Sequence, residues 1–161
     1  MVSYKLLRQR RDGSLGPLFI NSKLRLDPQT CWLPAENHPT RGFKQRPGWH
    51  SGRLPHAPHL TEKGRIWCEV ELPDFEYTPD SHPELFTKAG DMNCIPVNGF
   101  YRWQRPERQG GEWFISGAIR IIRTLSEREA QYIIERSKRE SQSRAGQNPE
   151  GLQQGEDRSH R

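Results

Sequence analysis

The run Gly64-Arg-Ile-Trp-Cys-Glu-Val-Glu-Leu72 constrains this chain more than any other stretch. Ile66, Cys68, Val70 and Leu72 fall on one side of an extended backbone. Arg65, Trp67, Glu69 and Glu71 fall on the other. That alternation is what a strand requires when one face of its sheet lies on a core. Pro73 ends the run, because proline cannot donate to a ladder. The chain is therefore organised on a sheet.

A second β segment covers residues 112–125 (Glu-Trp-Phe-Ile-Ser-Gly-Ala-Ile-Arg-Ile-Ile-Arg-Thr-Leu). Ser116-Gly117 marks a bulge or bend, so the segment divides into a strand at 113–115 and one at 118–124. Tyr4-Lys-Leu-Leu-Arg8 reads as a short strand, Arg11-Asp-Gly-Ser14 as a turn, and 15–20 as the returning half of a hairpin. Asn98-Gly99 is a turn signal before a short strand at 100–103. Residues 27–39 read as an anchored loop. Residues 74–97 read as a long excursion with one helical turn near 83–87.

Ser126-Glu-Arg-Glu129 is a capping box, with Ser126 at N-cap and Glu129 at N3. The helix it opens is expected to run to about Lys138, with Ala130, Ile133 and Ile134 as its apolar stripe. Beyond Ser141 the chain is Gln, Ser, Arg, Gly and Glu, with Leu152 as the one large apolar residue. A segment this polar buries too little to offset its ordering entropy, which predicts a disordered tail over 141–161. The expectation is one α+β domain over 1–140: a bent, mainly antiparallel sheet of about five to seven strands with a capped C-terminal helix. Apolar residues make up 32% of the 161 and mean hydropathy is -0.98, so the core is modest.

The net charge of +5 and pI near 9.4 favour an anionic ligand: nucleic acid, a dinucleotide or an acidic protein. The cations cluster at Lys5, Arg8, Arg10 and Arg11, and at Arg41, Lys44, Arg46 and Arg53. Cys31, Cys68 and Cys94 are isolated and form no zinc spacing, which fits a reducing cytoplasm. Met1-Val-Ser-Tyr-Lys5 lacks a signal-peptide core, and no apolar run reaches 18 residues. Neither GxGxxG nor GxxxxGK[ST] is present, nor GxSxG.

Residues 42–60 hold three of the six histidines, three prolines and three glycines. That composition predicts a shaped loop, and such loops carry sites. His50 follows Pro47-Gly48-Trp49 and is the candidate acid, base or ribose ligand. His56 and His59 complete a weak metal pattern, and no metal is expected. Trp49 offers a stacking surface and Arg46 a nearby cation, with Arg8 a second source of charge. Glu112, at the mouth of a strand after Gly110-Gly111, could hold a ribose hydroxyl and stabilise positive charge at an anomeric carbon.

The order Tyr4-Lys-Leu-Leu-Arg8, Gly16-Pro-Leu-Phe-Ile-Asn21, Arg46-Pro-Gly-Trp-His50, Trp67-Cys-Glu-Val70, Gly99-Phe-Tyr-Arg102 and Trp113-Phe-Ile-Ser-Gly-Ala118 resembles a group of bacteriophage and gut-bacterial mobile-element proteins. The resemblance implies action in a bacterial cytoplasm and no particular activity. The layout is also distantly similar to small ADP-ribosyltransferases. That resemblance implies NAD as substrate, Glu112 as the catalytic glutamate, His50 or Arg8 as NAD ligands, and Tyr101 or Trp49 packed on the nicotinamide. Gly110 stands where that family has an acceptor-orienting Glu or Gln. The other reading is a basic protein that binds a host protein or nucleic acid without chemistry.

Overall fold

The computed structural model describes residues 1–27, 31–36, 47–92 and 94–146. Nine strands lie among them: β1 (Val2–Gln9), β2 (Leu15–Gly16), β3 (Leu33–Pro34), β4 (Trp49–Gly52), β5 (Arg65–Glu71), β6 (Phe75–Glu76), β7 (Gly99–Gln104), β8 (Glu112–Ser116) and β9 (Ala118–Thr124). A helix, α1 (Glu127–Gly146), follows them. The sheet order is β3-β9-β5-β1-β4-β8-β7-β6, with β2 also on β1. Every pairing is antiparallel except β6 with β7. The architecture is the single α+β domain expected. The strand count exceeds five to seven because β2, β3 and β6 are two residues each, too short to leave a period in the sequence.

The sheet curls because of one residue. β8 and β9 lie three strands apart in the order, with β4, β1 and β5 between them, yet Gly117 alone joins them in the chain. The strand at one side must therefore meet the strand at the other. Gly117 donates its N–H to Gly99 O and accepts from Ala35 N at the corner. No side chain fits there, because a Cβ would collide with the Pro96 carbonyl.

Curling gives the sheet an inner face where both arms meet. Leu7, Cys68, Val70, Phe100, Phe114, Ile119 and Ile121 pack together there, with Leu15, Leu26 and Leu72. On the outer face, Leu6, Trp67, Trp113 and Leu125 pack under Ala130 and Ile133 of α1. The excursion at 74–97 covers the rest: Tyr77, Met92 and Ile95 close over Tyr101 and Ile115. A bulge at Ile122 lets β9 change phase, since Val70 faces Ile121 while Glu69 faces Arg123. Leu125 thereby reaches the outer cluster beside Trp67.

The local signals resolve as follows. Gly13 takes φ +82° in the β1–β2 turn, and Asp12 accepts from both the N–H and hydroxyl of Ser14. Ser126 N donates to the Glu129 carboxylate at 2.7 Å and Glu129 N to Ser126 Oγ at 3.1 Å, which is the reciprocal cap. The helix runs on to Gly146, eight residues past the expected end and through part of the segment expected to be disordered. The rest of that segment, 147–161, lies outside the described residues. The loop expected over 42–60 holds a central strand, β4, between β1 and β8. No described helix is long and apolar enough to cross a membrane.

Gly117→Ala is expected to destabilise the fold by about 1–3 kcal/mol, the usual cost of overpacking a tight site. A lower urea midpoint with an unchanged m-value is the expected reading; an unchanged midpoint would mean the corner is not tight.

Candidate functional site

β4 is where the Pro-Gly-Trp-His sequence acquires direction. Pro47 and Gly48 bring the chain in, with Gly48 at φ +133° and no space for a side chain against Ile115. Trp49 then pairs with Ser116 and His50 with Ile115. Successive strand residues point to opposite faces. Trp49 therefore turns to the inner face and His50 to the outer. The two residues that stand together in sequence are separated by the sheet itself.

Glu112 opens β8 on the inner-face parity of Phe114 and Ser116. Its carboxylate is clamped. Arg102 donates to Oε1 at 2.7 Å and Arg53 to Oε2 at 3.3 Å. Arg102 also donates to Glu76 at 2.6 Å, so this network ties β6, β7 and β8 together with the turn after β4. The contact with Glu112 and then that with Glu76 push the Arg102 pKa up. Glu112 and His50 thus lie on opposite faces. A glutamate–histidine pair acting on one ligand is not assembled.

The other candidate residues do not converge either. Tyr101 is 2% exposed and fills the outer-face core, edge-on to Phe86. Arg8 is exposed on the outer face and donates to Leu18 O at 3.0 Å. Trp49 donates its indole N–H to Leu33 O at 2.9 Å. Arg46 lies outside the described residues. Arg10, of the N-terminal cation cluster, donates to the carbonyls of Leu15, Ser22 and Leu24 and organises the turn that follows β2.

What the fold does assemble on the outer face is an aromatic and cationic seam. Trp103 packs against both outer clusters, the one under α1 and the one under the excursion. The guanidinium of Arg105 lies 4.2 Å from its ring centroid, a cation–π contact. His50 meets the same ring edge-on, with centroids 5.9 Å apart. His59, from the loop after β4, meets Trp113 in the same geometry at 5.9 Å. Burial, then the charge of Arg105, push the His59 pKa down, which favours its neutral form. The sequence marks His50 but not Trp103 and Arg105 beside it, nor the pairing of His59 with Trp113. The signal lay in the β7 parity of Trp103 and Arg105, which is visible only once His50 is placed on a strand.

The inner face holds a second polar group. Lys5, a member of the N-terminal cation cluster, points inward from β1 opposite Cys68. Its Nζ donates to the His50 carbonyl at 2.6 Å and lies 5.5 Å from the Trp49 ring centroid. Burial pulls the amine down to about 8 and pushes the Cys68 thiol up to about 12. Beside it, fully buried Ser3 donates to fully buried Ser51 at 2.8 Å.

Among the described residues no group of His, Cys, Asp and Glu could hold a metal ion. An open depression of about 450 Å3 at the β1–β2 hairpin, floored by Leu15 and Leu26, is lined by none of the candidate residues. Comparison with protein-family models, curated proteins and solved structures gave no match.

Lys5 sets a pH dependence. Its folded pKa of about 8 lies below the ordinary 10.5, so between those values the unfolded chain holds more protons. Unfolding free energy should then rise with pH from about 8, until ionisation of the unfolded Cys68 thiol opposes it above about 9. Lys5→Met is expected to gain up to roughly 3 kcal/mol at pH 7 and to lose the rise. Urea unfolding at pH 7, 8 and 9 checks both.

Proposed function

We propose that this chain is a small basic binding protein whose ligand is single-stranded nucleic acid, engaged at the Trp103 seam. One observation carries the reading: a half-buried indole bears a guanidinium on its face and an imidazole in T-shaped contact with it, where two covers of the sheet meet. An aromatic surface with an adjacent cation holds a base and its phosphate together. Every base presents a π-face, so the ligand need not be of one sequence. A duplex hides those faces in its stack, which favours single strands. The net charge of +5 supplies the long-range attraction to phosphate. With the resemblance to bacteriophage and mobile-element proteins, the role we propose is an accessory one in a bacterial cytoplasm.

The ADP-ribosyltransferase reading needs Glu112 and His50 on one bound NAD. Glu112 and His50 stand on opposite faces, and both Glu112 oxygens are held by arginine, which favours the binding reading. The seam still accepts the same ligand pieces, a flat ring and a phosphate, so millimolar NAD serves as a competitor.

Fluorescence anisotropy of a labelled single-stranded oligonucleotide tests the reading. Trp103→Ala should weaken binding about 5- to 150-fold, the range set by stacking one base. Arg105→Ala should flatten the salt dependence by about one phosphate contact. Glu112→Gln, across the sheet, should change neither. No binding at low salt, or binding indifferent to both seam substitutions, would refute it.

A further inference from the structure

The inner face of β1, β4 and β8 carries hydrogen-bond donors without matching acceptors. Lys5 Nζ brings three N–H groups and spends one on the His50 carbonyl. Ser3 and Ser51 have two hydroxyl protons between them, and their mutual bond uses one. Ser116 Oγ is fully buried on the same face and has no hydrogen-bond partner among the described residues. Ser116 is the cross-strand partner of Trp49, and Trp49 lies beside the Lys5 amine. The carboxylate that shares this face, Glu112, is held by Arg102 and Arg53; the titratable neighbour opposite Lys5 is the Cys68 thiol.

Buried polar groups in folded proteins are satisfied, by protein, water or ligand. Water offers acceptors but leaves the ammonium without a counter-charge. An oxyanion offers both. We propose that the Lys5, Ser51 and Ser116 face is a binding site for a small oxyanion, of the size of a carboxylate or phosphate group, with Trp49 as its wall. The ammonium supplies the charge and two N–H donors. The serine hydroxyls fix the orientation of the oxygens. Lys5 and Trp49 are both half-buried, so the site meets solvent where their side chains do. A bound anion would also draw the amine back toward the ordinary lysine range, the direction opposite to burial. This site is on the face of the sheet away from the nucleic-acid seam, and it does not depend on that reading.

The test uses the full chain, with inorganic phosphate and acetate as separate probes and sodium chloride holding ionic strength constant. Thermal unfolding of the wild type should rise saturably with at least one probe. Phosphate alone responding would indicate a phosphate ligand; acetate responding as well would indicate a carboxylate-sized oxyanion. Lys5→Met should weaken the response about ten- to a hundredfold, as loss of a charged hydrogen bond does, and Ser116→Ala by less. Lys5→Met replaces a buried charge with an apolar chain and is expected to stay folded. In the wild type, the Lys5 Nζ resonance should titrate at higher pH when the probe is present. Trp103→Ala should leave all of this unchanged. Absence of a saturable shift, or an equal shift in Lys5→Met, would overturn the proposal.

Discussion

The fold depends on the bend at Gly117. It is a steric constraint before it is an energetic one: the Pro96 carbonyl occupies the space where any side chain would begin. Because β8 and β9 are one segment, the sheet cannot lie flat while both strands keep their partners. A curled sheet buries one face against itself. Phe100 and Phe114 from one arm thus reach Ile119 and Ile121 from the other, and no second layer is needed inside. The helix and the excursion at 74–97 are then free to cover the outside. A chain with 32% apolar residues can build this, because one face serves as both walls of its own core.

Charges hold the margins of that arrangement. Glu112, Arg102 and Glu76 link β8, β7 and β6 in a row, and Arg53 adds the turn after β4. On the other arm Arg123 pairs with Glu69 and Glu129, joining β5 and β9 to the first turn of α1. Exposed pairs of this kind contribute little singly. Their position matters more: each lies where neighbouring elements meet and would otherwise leave a strand margin to solvent. The Glu112 clamp belongs to this set, which gives the carboxylate at the strand mouth a part in holding β7, β8 and the turn after β4 together.

Strong periodicity was legible, and weak periodicity was not. The alternation at 64–72, the Asp-Gly hairpin, the Ser126–Glu129 cap and the break at Gly117 each rest on a local rule that the tertiary structure had no reason to override. β4 was hidden because its four residues sit among prolines and glycines, and composition pointed to a loop. That one misreading governs the candidate site. On a loop, Trp49, His50 and a distant Glu112 can be imagined around one ligand. On a strand, the pleat sends Trp49 and His50 apart, and Glu112 follows Trp49. Lys5 is hard to place from sequence for a related reason. A cation in a short strand reads as surface, whereas its parity with Ser3 and Leu7 put it inside. The length of α1 was missed because nothing apolar marks its second half; side-chain pairs such as Gln131–Glu135 and Arg136–Glu140 replace an apolar stripe.

That second half of α1 has a geometric meaning of its own. After Ile134 no residue of the helix is fully buried; Ser137 is half-buried, Arg136 lies near enough to Tyr4 of β1 to act on it electrostatically, and the turns from Lys138 onward are exposed. At 1.5 Å per residue, the stretch from Glu135 to Gly146 is a rod of about 18 Å. It acts as a standoff. Gly146 is thereby carried about that far from the last apolar contact of the helix with the sheet.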